Sequence, residues 1–547
     1  MSMIGKTRPN LMNHIGISSG EAQDMRVETR VLEPRTFTQS RSGGQVSFDL
    51  PKEGLLDQDI FLDIQLTNTA FAAAGALMGL PVMAGILGCL QTGSIYYNNI
   101  LLQQTTELAQ LLQLKMCFVE QDIRDQTYQV KIGSFSGIMV DTDSLTGAGA
   151  TSVGKYSMNA SNVGRGIVGL QEGVITATGV VNPDQYDKVP DYRIAGTTAT
   201  QPTYSLPLKW VFPFLSQIQL PLGLLEGQVR IVFDFYPDFA GNRAIAYSAV
   251  PAAGAIPGPV NFNDNNVITE SSVRLVVDLV YFDDVPGQVS PMERLAAEVM
   301  RGIELVYTDY TYIESVVAAA ANPAPVANPI AVDTNTLCGL DHQVVRNLLI
   351  AIPNRATFVT NPAPPALPTT QVPQTFPSNP ILGNFGSCAS QGTTTLQIVI
   401  NNQNVYPNAI DTDAKLFNEV SQVFNTPMKT NKGFTSWIGS TTTAALTANP
   451  PQEAFPRDKW FCGLGVGAAF GGGQSCLQGS TQYMGVNLSR THDNVLGAGT
   501  AVGKSPLEIR LTLQQTAEVN RARRLMIWAE CERVMILKGG QIMVSGS

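Results

Sequence analysis

Residues 273–314 read VRLVVDLVYFDDVPGQVSPMERLAAEVMRGIELVYTDYTYIE, a strand pattern followed directly by a helix pattern. Apolar side chains occupy every second position of the first part, at Val273, Leu275, Val277, Leu279 and Tyr281. Alternation at this period is typical of a β-strand that buries one face in a core. Ser290 and Glu293 then form a capping box with proline at the first helical position. A glycine ends the pattern, so the sequence predicts a helix at residues 289–301.

The same alternation recurs on both sides of this helix. It covers residues 60–66 and 229–235 before the helix, and residues 396–400 and 507–513 after it. The chain is therefore predicted to be mainly β. The capped helix is expected to connect two strand-rich halves.

A second pattern occurs once in each half. A strand pattern runs into an Asn-Asn pair at residues 98–99, and a helix pattern follows at residues 107–116. The same series recurs with Asn-Asn at residues 401–402 and a helix pattern at residues 413–424. Asparagine tolerates the left-handed backbone that tight hairpin turns need. Two such series in opposite halves predict a duplicated architecture.

The composition indicates a chain that buries much of its surface against other chains. Charged residues make up 14% of the 547 residues and apolar types make up 44%, whereas about a quarter of an average soluble protein is charged. This length also exceeds what one core supports, so about two to four domains are expected. The net charge of −9 disfavours specific nucleic-acid binding, because phosphate contacts need clustered positive charge.

Neither secretion nor a transmembrane segment is expected. The seven cysteines are scattered and form no C-x-x-C pair, which favours free thiols in a reducing compartment. The first residues lack the basic and apolar regions of a signal peptide. Residues 70–90 are uncharged and long enough to span a bilayer, but their glycines and Pro81 favour a buried loop that leads into a strand.

Two stretches partly match a phosphate-binding P-loop. GATSVGKY ends in Tyr156, where the motif needs Ser or Thr, and AGTAVGKS begins with Ala498 in place of the first glycine. No helix pattern follows Lys155 or Lys504, although a P-loop needs a helix N-terminus at the phosphates. Both stretches are therefore predicted to be glycine turns without a bound nucleotide.

No pattern indicates a metal site or a catalytic site. The three histidines are far apart and have no paired ligand at metal-binding spacing: His14, His342 and His492. Asp141 and Asp143 begin like a calcium loop, but Leu145 occupies the third ligand position. Asp283 and Asp284 end a strand before a turn, where adjacent carboxylates are usually solvated. We therefore expect no catalytic residue, no metal and no cofactor.

Two other groups of residues have an ordinary explanation. Asn159 and Asn487 stand in N-x-Ser sequons, which matter only in a secreted chain. The basic cluster before the last strand is predicted to be a solvated turn, with contact to an internal partner or to nucleic acid as the alternative: Arg521, Arg523 and Arg524.

The long segments rich in Pro, Ala, Gly and Thr are predicted to be stiff surface projections. Proline at this density favours extended backbone and lowers the entropy lost on ordering. These segments are residues 141–203, 250–265, 318–336, 361–380 and 438–456.

The order of the segments resembles that of one protein family. LPLKWVFPFLSQIQLPLGLLEGQVRIVFDF at residues 206–235 repeats Leu-Pro-Leu around an aromatic run, before a charged alternating strand. The segment 273–314 follows, then Asp341 and His342 before VVRNLLIAI, and the chain ends in RRLMIWAECERVMILKGGQIMVS. Together these pieces resemble the double jelly-roll major capsid proteins of eukaryotic double-stranded DNA viruses. Those of polinton-like viruses and virophages are most similar, and those of nucleocytoplasmic large DNA viruses are more distant.

This resemblance implies two consecutive eight-stranded antiparallel jelly rolls with a few short helices and long loops. It implies an N-terminal arm at residues 1–35, a first jelly roll at 36–288, the connecting helix at 289–301 and a second jelly roll at 302–547. Three chains would form a pseudo-hexameric homotrimeric capsomer. Neighbouring capsomers, penton proteins and minor capsid proteins would complete an icosahedral virion shell, assembled inside the host cell.

A carbohydrate-binding β-sandwich, such as an adhesin or a viral fibre protein, is the main alternative. That class usually groups exposed aromatic side chains in one groove, whereas the tryptophans here are dispersed: Trp210, Trp437, Trp460 and Trp528. An enzyme is a third alternative, which the lack of a metal or nucleotide pattern disfavours.

Overall fold

The structure is a computed structural model that describes most of the predicted strands. The described residues are 25–40, 43–65, 77–79, 85–116, 129–132, 140–141, 156–157, 193–195, 203–237, 246–248, 268–282, 289–317, 330–351, 393–423, 484–489, 499–515 and 523–545. The proline-rich segment 361–380 and the segments 250–265 and 438–456 lie outside them.

The first half contains fourteen strands and four short α-helices among its described residues. The strands are β1 Met25–Leu32, β2 Thr36–Ser40, β3 Gly43–Asp49, β4 Leu55–Gln65, β5 Leu77–Gly79, β6 Leu90–Tyr97, β7 Ile100–Thr106, β8 Val140–Asp141, β9 Tyr156–Ser157, β10 Arg193–Ala195, β11 Thr203–Pro207, β12 Val229–Phe235, β13 Ala246–Ser248 and β14 Val273–Phe282. The helices are α1 Leu108–Met116, α2 Gln129–Ile132, α3 Leu208–Val211 and α4 Pro213–Gln217.

The second half begins with the capped helix and continues almost entirely in strands. The helices are α5 Pro291–Arg301 and α6 Asp413–Val423. The strands are β15 Ile303–Val317, β16 Ile330–Cys338, β17 Val344–Ala351, β18 Thr393–Ile400, β19 Gln403–Asn404, β20 Met484–Asn487, β21 Thr500–Ala501, β22 Leu507–Gln515, β23 Arg523–Lys538 and β24 Gln541–Ser545. No helix among the described residues combines the length and the apolar character needed to cross a membrane.

Both halves have the same strand order. The first half forms the sheets β1-β14-β4-β11 and β3-β12-β6-β7, with β2 added beside β3. The second half forms β15-β23-β17-β20 and β16-β22-β18-β19. In each half the eight strands of these two sheets, leaving out β2, can be numbered one to eight in chain order. Both pairs of sheets then have the strand orders 1-8-3-6 and 2-7-4-5. Strand 8 returns beside strand 1 and strand 7 beside strand 2, as in a jelly roll. The predicted mainly β fold with two jelly rolls is confirmed.

Apolar burial on one face of each strand follows the alternation in the sequence. In β14, Leu275 and Val277 are fully buried whereas Arg274 is exposed. In β4, Leu62 and Ile64 are fully buried on either side of the half-buried Asp63. Because successive side chains of a strand point to opposite faces, this pattern fixes which face of each sheet enters the core.

The Asn-Asn turns occur at equivalent places in the two jelly rolls. Asn98 and Asn401 both have φ of 52°, in the left-handed region, and each lies between strands 4 and 5. The Asn98 side-chain oxygen accepts a hydrogen bond from the Gln228 amide at 2.9 Å. The Asn401 side-chain oxygen accepts one from the Gly503 amide at 2.9 Å. The predicted duplication thus extends from strand order to the hydrogen bonds of one turn.

The connecting helix has the predicted ends. The Ser290 side chain accepts a hydrogen bond from the Glu293 amide at 3.2 Å, and the Glu293 carboxylate accepts one from the Ser290 amide at 3.3 Å. Gly302 ends the helix with φ of 107°, a value that L side chains rarely adopt.

Two strands lie where the sequence analysis placed irregular segments. β1 falls inside the segment assigned to an N-terminal arm, yet all eight of its residues pair with β14 as strand 1 of the first sheet. β16 begins inside the segment 318–336, which was predicted to be a projecting loop. Both are sheet-edge strands whose stability comes from ladder pairing. In β1 the alternating apolar residues Met25, Val27 and Val31 lie on the exposed face, so they do not mark a core-facing strand.

The two hydrophobic cores share long strands near the middle of the molecule. The first core contains Tyr307 of β15, Met535 and Leu537 of β23, and Ile542 of β24. The second core contains Leu111 of α1. Elements from each half therefore complete the core of the other. The limits drawn between domains from the sequence stay a prediction.

The glycine turn between β23 and β24 docks on the first jelly roll. Tyr97 Oη donates a hydrogen bond to the Gly540 carbonyl at 2.9 Å and accepts one from the Gly227 amide at 2.9 Å. The Glu226 amide donates to the same Gly540 carbonyl at 3.0 Å. Gly540 has φ of 75°, and a Cβ there would lie 2.9 Å from the Leu224 carbonyl oxygen. The end of the chain thus stabilises the first core.

We predict that Gly540→Ala destabilises the protein more than Gly539→Ala does. Gly539 has φ of 58°, but a Cβ at that position would meet no atom within 4 Å, so its substitution costs about 1 kcal/mol for left-handed backbone alone. Gly540→Ala adds a clash with backbone, which costs roughly 1–3 kcal/mol more. Urea unfolding of both variants measures the difference. Equal unfolding midpoints would contradict the docking of this turn.

Candidate functional site

The most buried charged residues of the described part of the chain lie between the two jelly rolls. They are Glu107, Asp309 and Arg346, whose exposed fractions are 3%, 3% and 6%. Burial of a charge is costly unless it is paired and hydrogen-bonded. We call this region the seam. It comprises residues 103–115 and 217 of the first jelly roll and residues 307–314, 346–347 and 524–533 of the second.

Two glutamines of the first jelly roll cover the edge of β15 at Thr308. Gln103 Nε2 donates to the Thr308 carbonyl at 2.9 Å, and Gln217 Oε1 accepts from the Thr308 amide at 2.7 Å. Gln103 Oε1 also accepts from the Phe214 amide at 2.9 Å. An uncovered strand edge presents unpaired backbone groups. Here the side chains of one jelly roll satisfy the strand edge of the other.

Glu107 is the centre of the first charged group in the seam. Its carboxylate accepts hydrogen bonds from Arg524 Nη2 at 3.0 Å and from the Tyr236 hydroxyl. Arg524 also pairs with Glu314 at 2.8 Å. Burial alone would lower the pKa of Arg524, but its hydrogen bonds to Glu314 and the negative charge of Glu107 raise it. Burial and the charge of Glu107 also raise the pKa of Tyr236. Arg524 therefore stays charged and compensates Glu107.

The position of Glu107 depends on a turn in which its backbone is left-handed. Glu107 has φ of 56° and joins β7 to α1. Its carbonyl accepts the first helical hydrogen bonds, from the amides of Gln110 and Leu111 at 3.1 Å each. Beside this turn, Trp528 Nε1 donates to the Thr106 carbonyl at 2.9 Å. The left-handed backbone of Glu107 is unfavourable for a residue with a side chain. The hydrogen bonds in the seam compensate this free-energy cost.

Glu530 forms a second polar group with residues from three elements. Its carboxylate accepts from the Tyr310 hydroxyl at 2.8 Å and from Asn347 Nδ2 at 2.6 Å. Lys115 of α1 donates to the Tyr310 hydroxyl, and its ammonium lies 4.5 Å from the Tyr310 ring centre. Burial lowers the pKa of Lys115, and the charge of Glu530 opposes that shift. The group connects α1 to the sheet of the second jelly roll.

Asp309 and Arg346 form ion pairs with neighbouring residues of β23. Asp309 Oδ2 lies 2.9 Å from Arg533 Nε, and Arg346 Nε lies 3.6 Å from Glu532 Oε1. Burial raises the pKa of Asp309 to about 6, although the charge of Arg533 and the Tyr310 amide act to lower it. Arg346 Nη1 donates to Thr308 Oγ1 at 3.1 Å. The ion pairs therefore lie directly behind the strand edge that the glutamines cover.

The seam has the properties of a structural interface. Its charged groups pair with each other, and in the described part of the chain no group of three His, Cys, Asp or Glu side chains is arranged to hold a metal ion. Burial raises the pKa of the thiols of Cys338 and Cys531 to about 12, so both are protonated at neutral pH and poor nucleophiles. The arrangement can orient two domains relative to each other.

The candidate residues from the sequence fall mostly away from the seam. Lys504 precedes β22 and no helix follows it, and His342 donates its backbone amide to the Val502 carbonyl at 3.1 Å. Asn487 lies in β20, where its side chain accepts from the Ser489 amide. Asp141 lies in β8 and Tyr156 in β9. The candidates that lie outside the described residues are His14, Asp143, Lys155, Asn159, Asp283, Asp284, His492 and Arg521.

Arg524 is the member of the basic cluster that the structure brings into the seam. It was predicted to lie in a solvated turn, but β23 already includes it and its side chain is only 16% exposed. Sequence reasoning missed Glu107, Asp309 and Arg346. A charge inside an apolar strand run, as in VVRNLLIAI, is the signal that could have indicated Arg346. Glu107 has no such local signal, because its partner is 417 residues away.

Solved structures of viral capsid proteins are similar to this chain over nearly its whole length. VP54 of PBCV-1, fitted into a cryo-EM reconstruction of the virophage Sputnik, matches with a TM-score of 0.52 and 12% identity, over 96% of this chain and 97% of that one. The cryo-EM structure of the Sputnik virophage matches with a TM-score of 0.53 and 12% identity, over 95% of this chain and 88% of that one. This chain shares their fold. No protein-family model and no curated protein matches the sequence.

We predict that Arg524→Ala strongly destabilises this double jelly-roll chain. The substitution leaves Glu107 buried without its cationic partner, which costs about 3–5 kcal/mol. Arg510→Ala is the matched control, because Arg510 pairs with Glu508 on the exposed surface of β22 and its loss should have no measurable effect. Urea unfolding measures both variants. Similar midpoints for Arg524→Ala and the wild type would contradict a stabilising role of the Glu107 pair.

We also predict that Asp309→Asn changes how stability depends on pH. In the folded protein the pKa of Asp309 is about 6, above the ordinary value of 3.8. Proton binding therefore favours the folded state increasingly as the pH falls from about 6 to about 4. Over that interval the wild type should gain about 3 kcal/mol relative to Asp309→Asn. Urea unfolding at several pH values measures the gain, and parallel curves for the two proteins would rule it out.

Proposed function

We propose that this chain is the major capsid protein of a double-stranded DNA virus. The observation that carries the proposal is the pair of jelly rolls with the same strand order, held together by interlocked cores. The likeness to the PBCV-1 and Sputnik structures over nearly the whole chain supports it. A protein of this kind acts through its shape and its interfaces. The proposal assigns it no catalytic activity.

The proposed assembly unit is a homotrimer. Three chains with two similar jelly rolls each would supply six similar modules, and these would form a pseudo-hexameric capsomer. Capsomers would tile an icosahedral shell together with penton and minor capsid proteins. The low charged fraction of 14% supports this arrangement, because surface that is buried against other copies needs few charges.

The proposed location is the virion capsid, after assembly inside the host cell. Among the described cysteines, Cys338 and Cys531 are free and buried. Free thiols are compatible with assembly in a reducing compartment.

Sedimentation of the purified full-length chain tests this proposal. We expect a trimer at micromolar concentration, because obligate interfaces typically bury on the order of 2,000–5,000 Å² and leave little free monomer. Electron microscopy of the same sample should show particles with six lobes. A chain with residues 361–380 replaced by a short Gly-Ser linker should remain trimeric, since that segment is proposed to lie on the outer surface. A monomeric wild type would overturn the capsomer.

A further inference from the structure

The long strand β23 passes from one hydrophobic core to the other along its length. Its residues 525–529 and Cys531 are buried in the second core, whereas Met535 and Leu537 are buried in the first. The paired strand β15 changes core at the same level, because Tyr307 lies in the first core and Tyr310 lies in the second. The ladder between these strands therefore has two segments, and each segment stabilises a different jelly roll.

The other neighbours of β23 divide at the same level. β17 pairs with residues 526–532 of β23, whereas β24 pairs with residues 534–538. Polar residues occupy the ladder where the core changes: Thr308, Asp309, Glu532 and Arg533. The apolar packing of one core does not continue into the other along these strands, and the buried residues form two separate clusters.

Residues 533–545, which we call the strap, cover the first core. Ile542 of β24 is only 1% exposed in that core, and Val544 packs against it. The Gly539 amide donates a hydrogen bond to the Val299 carbonyl of α5 at 3.0 Å. Opening of the strap would therefore uncover the first core and leave the side chains of the second core in place.

We infer that the strap opens and closes together with the first jelly roll while the second jelly roll stays folded, and that chains assemble only with the strap closed. Proteins open locally in cooperative units, and here the limit of such a unit lies inside one continuous strand. The inference rests on the proposed capsid function, because a pseudo-hexameric capsomer needs both jelly rolls of each chain to be ordered.

Hydrogen exchange of the wild-type chain at increasing urea concentration tests the division of β23. Amides of residues 534–538 should lose protection in the same step as those of residues 229–235 in β12. Amides of residues 526–531 should lose protection at higher urea, together with those of residues 345–350 in β17. Mass spectrometry of proteolytic peptides resolves these segments. A single step for the whole of β23 would overturn the inference.

A charge in the strap tests its connection to the first jelly roll. We expect Ile542→Asp to make exchange at residues 229–235 at least about tenfold faster, because the carboxylate would be desolvated in the first core. Exchange at residues 345–350 should keep its wild-type rate. Met543→Asp is the matched control, since Met543 is the next residue of β24 and is 48% exposed. Equal exchange in the two variants, or loss of protection in both jelly rolls of Ile542→Asp, would contradict the inference.

Sedimentation of the full-length variants tests whether assembly needs the closed strap. Ile542→Asp should be monomeric at a concentration at which the wild type is trimeric. Ile542→Val keeps an apolar side chain in the first core and should remain trimeric. A trimeric Ile542→Asp with a fast-exchanging first jelly roll would refute the coupling of the strap to assembly, and the capsid function would stand. A wild-type monomer would instead reject the capsid function, and the exchange steps alone would decide how β23 divides.

Discussion

The antiparallel ladder between β15 and β23 is the constraint on which the rest of the structure depends. It pairs Ile303 with Leu537 at one end and Val317 with Arg523 at the other, without an interruption in register. One end of the ladder lies in the first core and the other end lies in the second. A slip of one residue would exchange the two faces of the strand that shifts. Both cores and the seam between them would then be lost together.

This ladder also determines when folding can be completed. Its two strands are more than 200 residues apart in sequence, and the first core needs Met535 and Leu537 from the second of them. Contacts of such separation are slow to form, because the loop-closure entropy must be overcome before they contribute. The first jelly roll therefore completes its core only when the end of the chain has docked.

The buried charges of the seam fix orientation more than they add stability. A buried ion pair often gains little over well-packed apolar side chains, but breaking one is costly. Glu107 of the first jelly roll pairs with Arg524 of the second, so a displaced second jelly roll would leave Glu107 unpaired. Asp309 and Arg346 would keep their partners on β23. Apolar contacts tolerate a small shift of one domain against the other better than an ion pair does. The seam can thus hold two similar domains in one relative position.

The sequence by itself determined the elements whose causes are local. Alternating apolar residues fixed the core strands β4, β14 and β22, the Asn-Asn pairs fixed the hairpin turns, and the capping box fixed α5, because each signal lies within a few residues. Only the tertiary structure decided that β1 and β16 are strands, since an edge strand with few inward apolar residues is stabilised mainly by its neighbour. It alone brought Arg524 to Glu107 across 417 residues. The pattern of one segment contains no information about which distant segment will bury its charge.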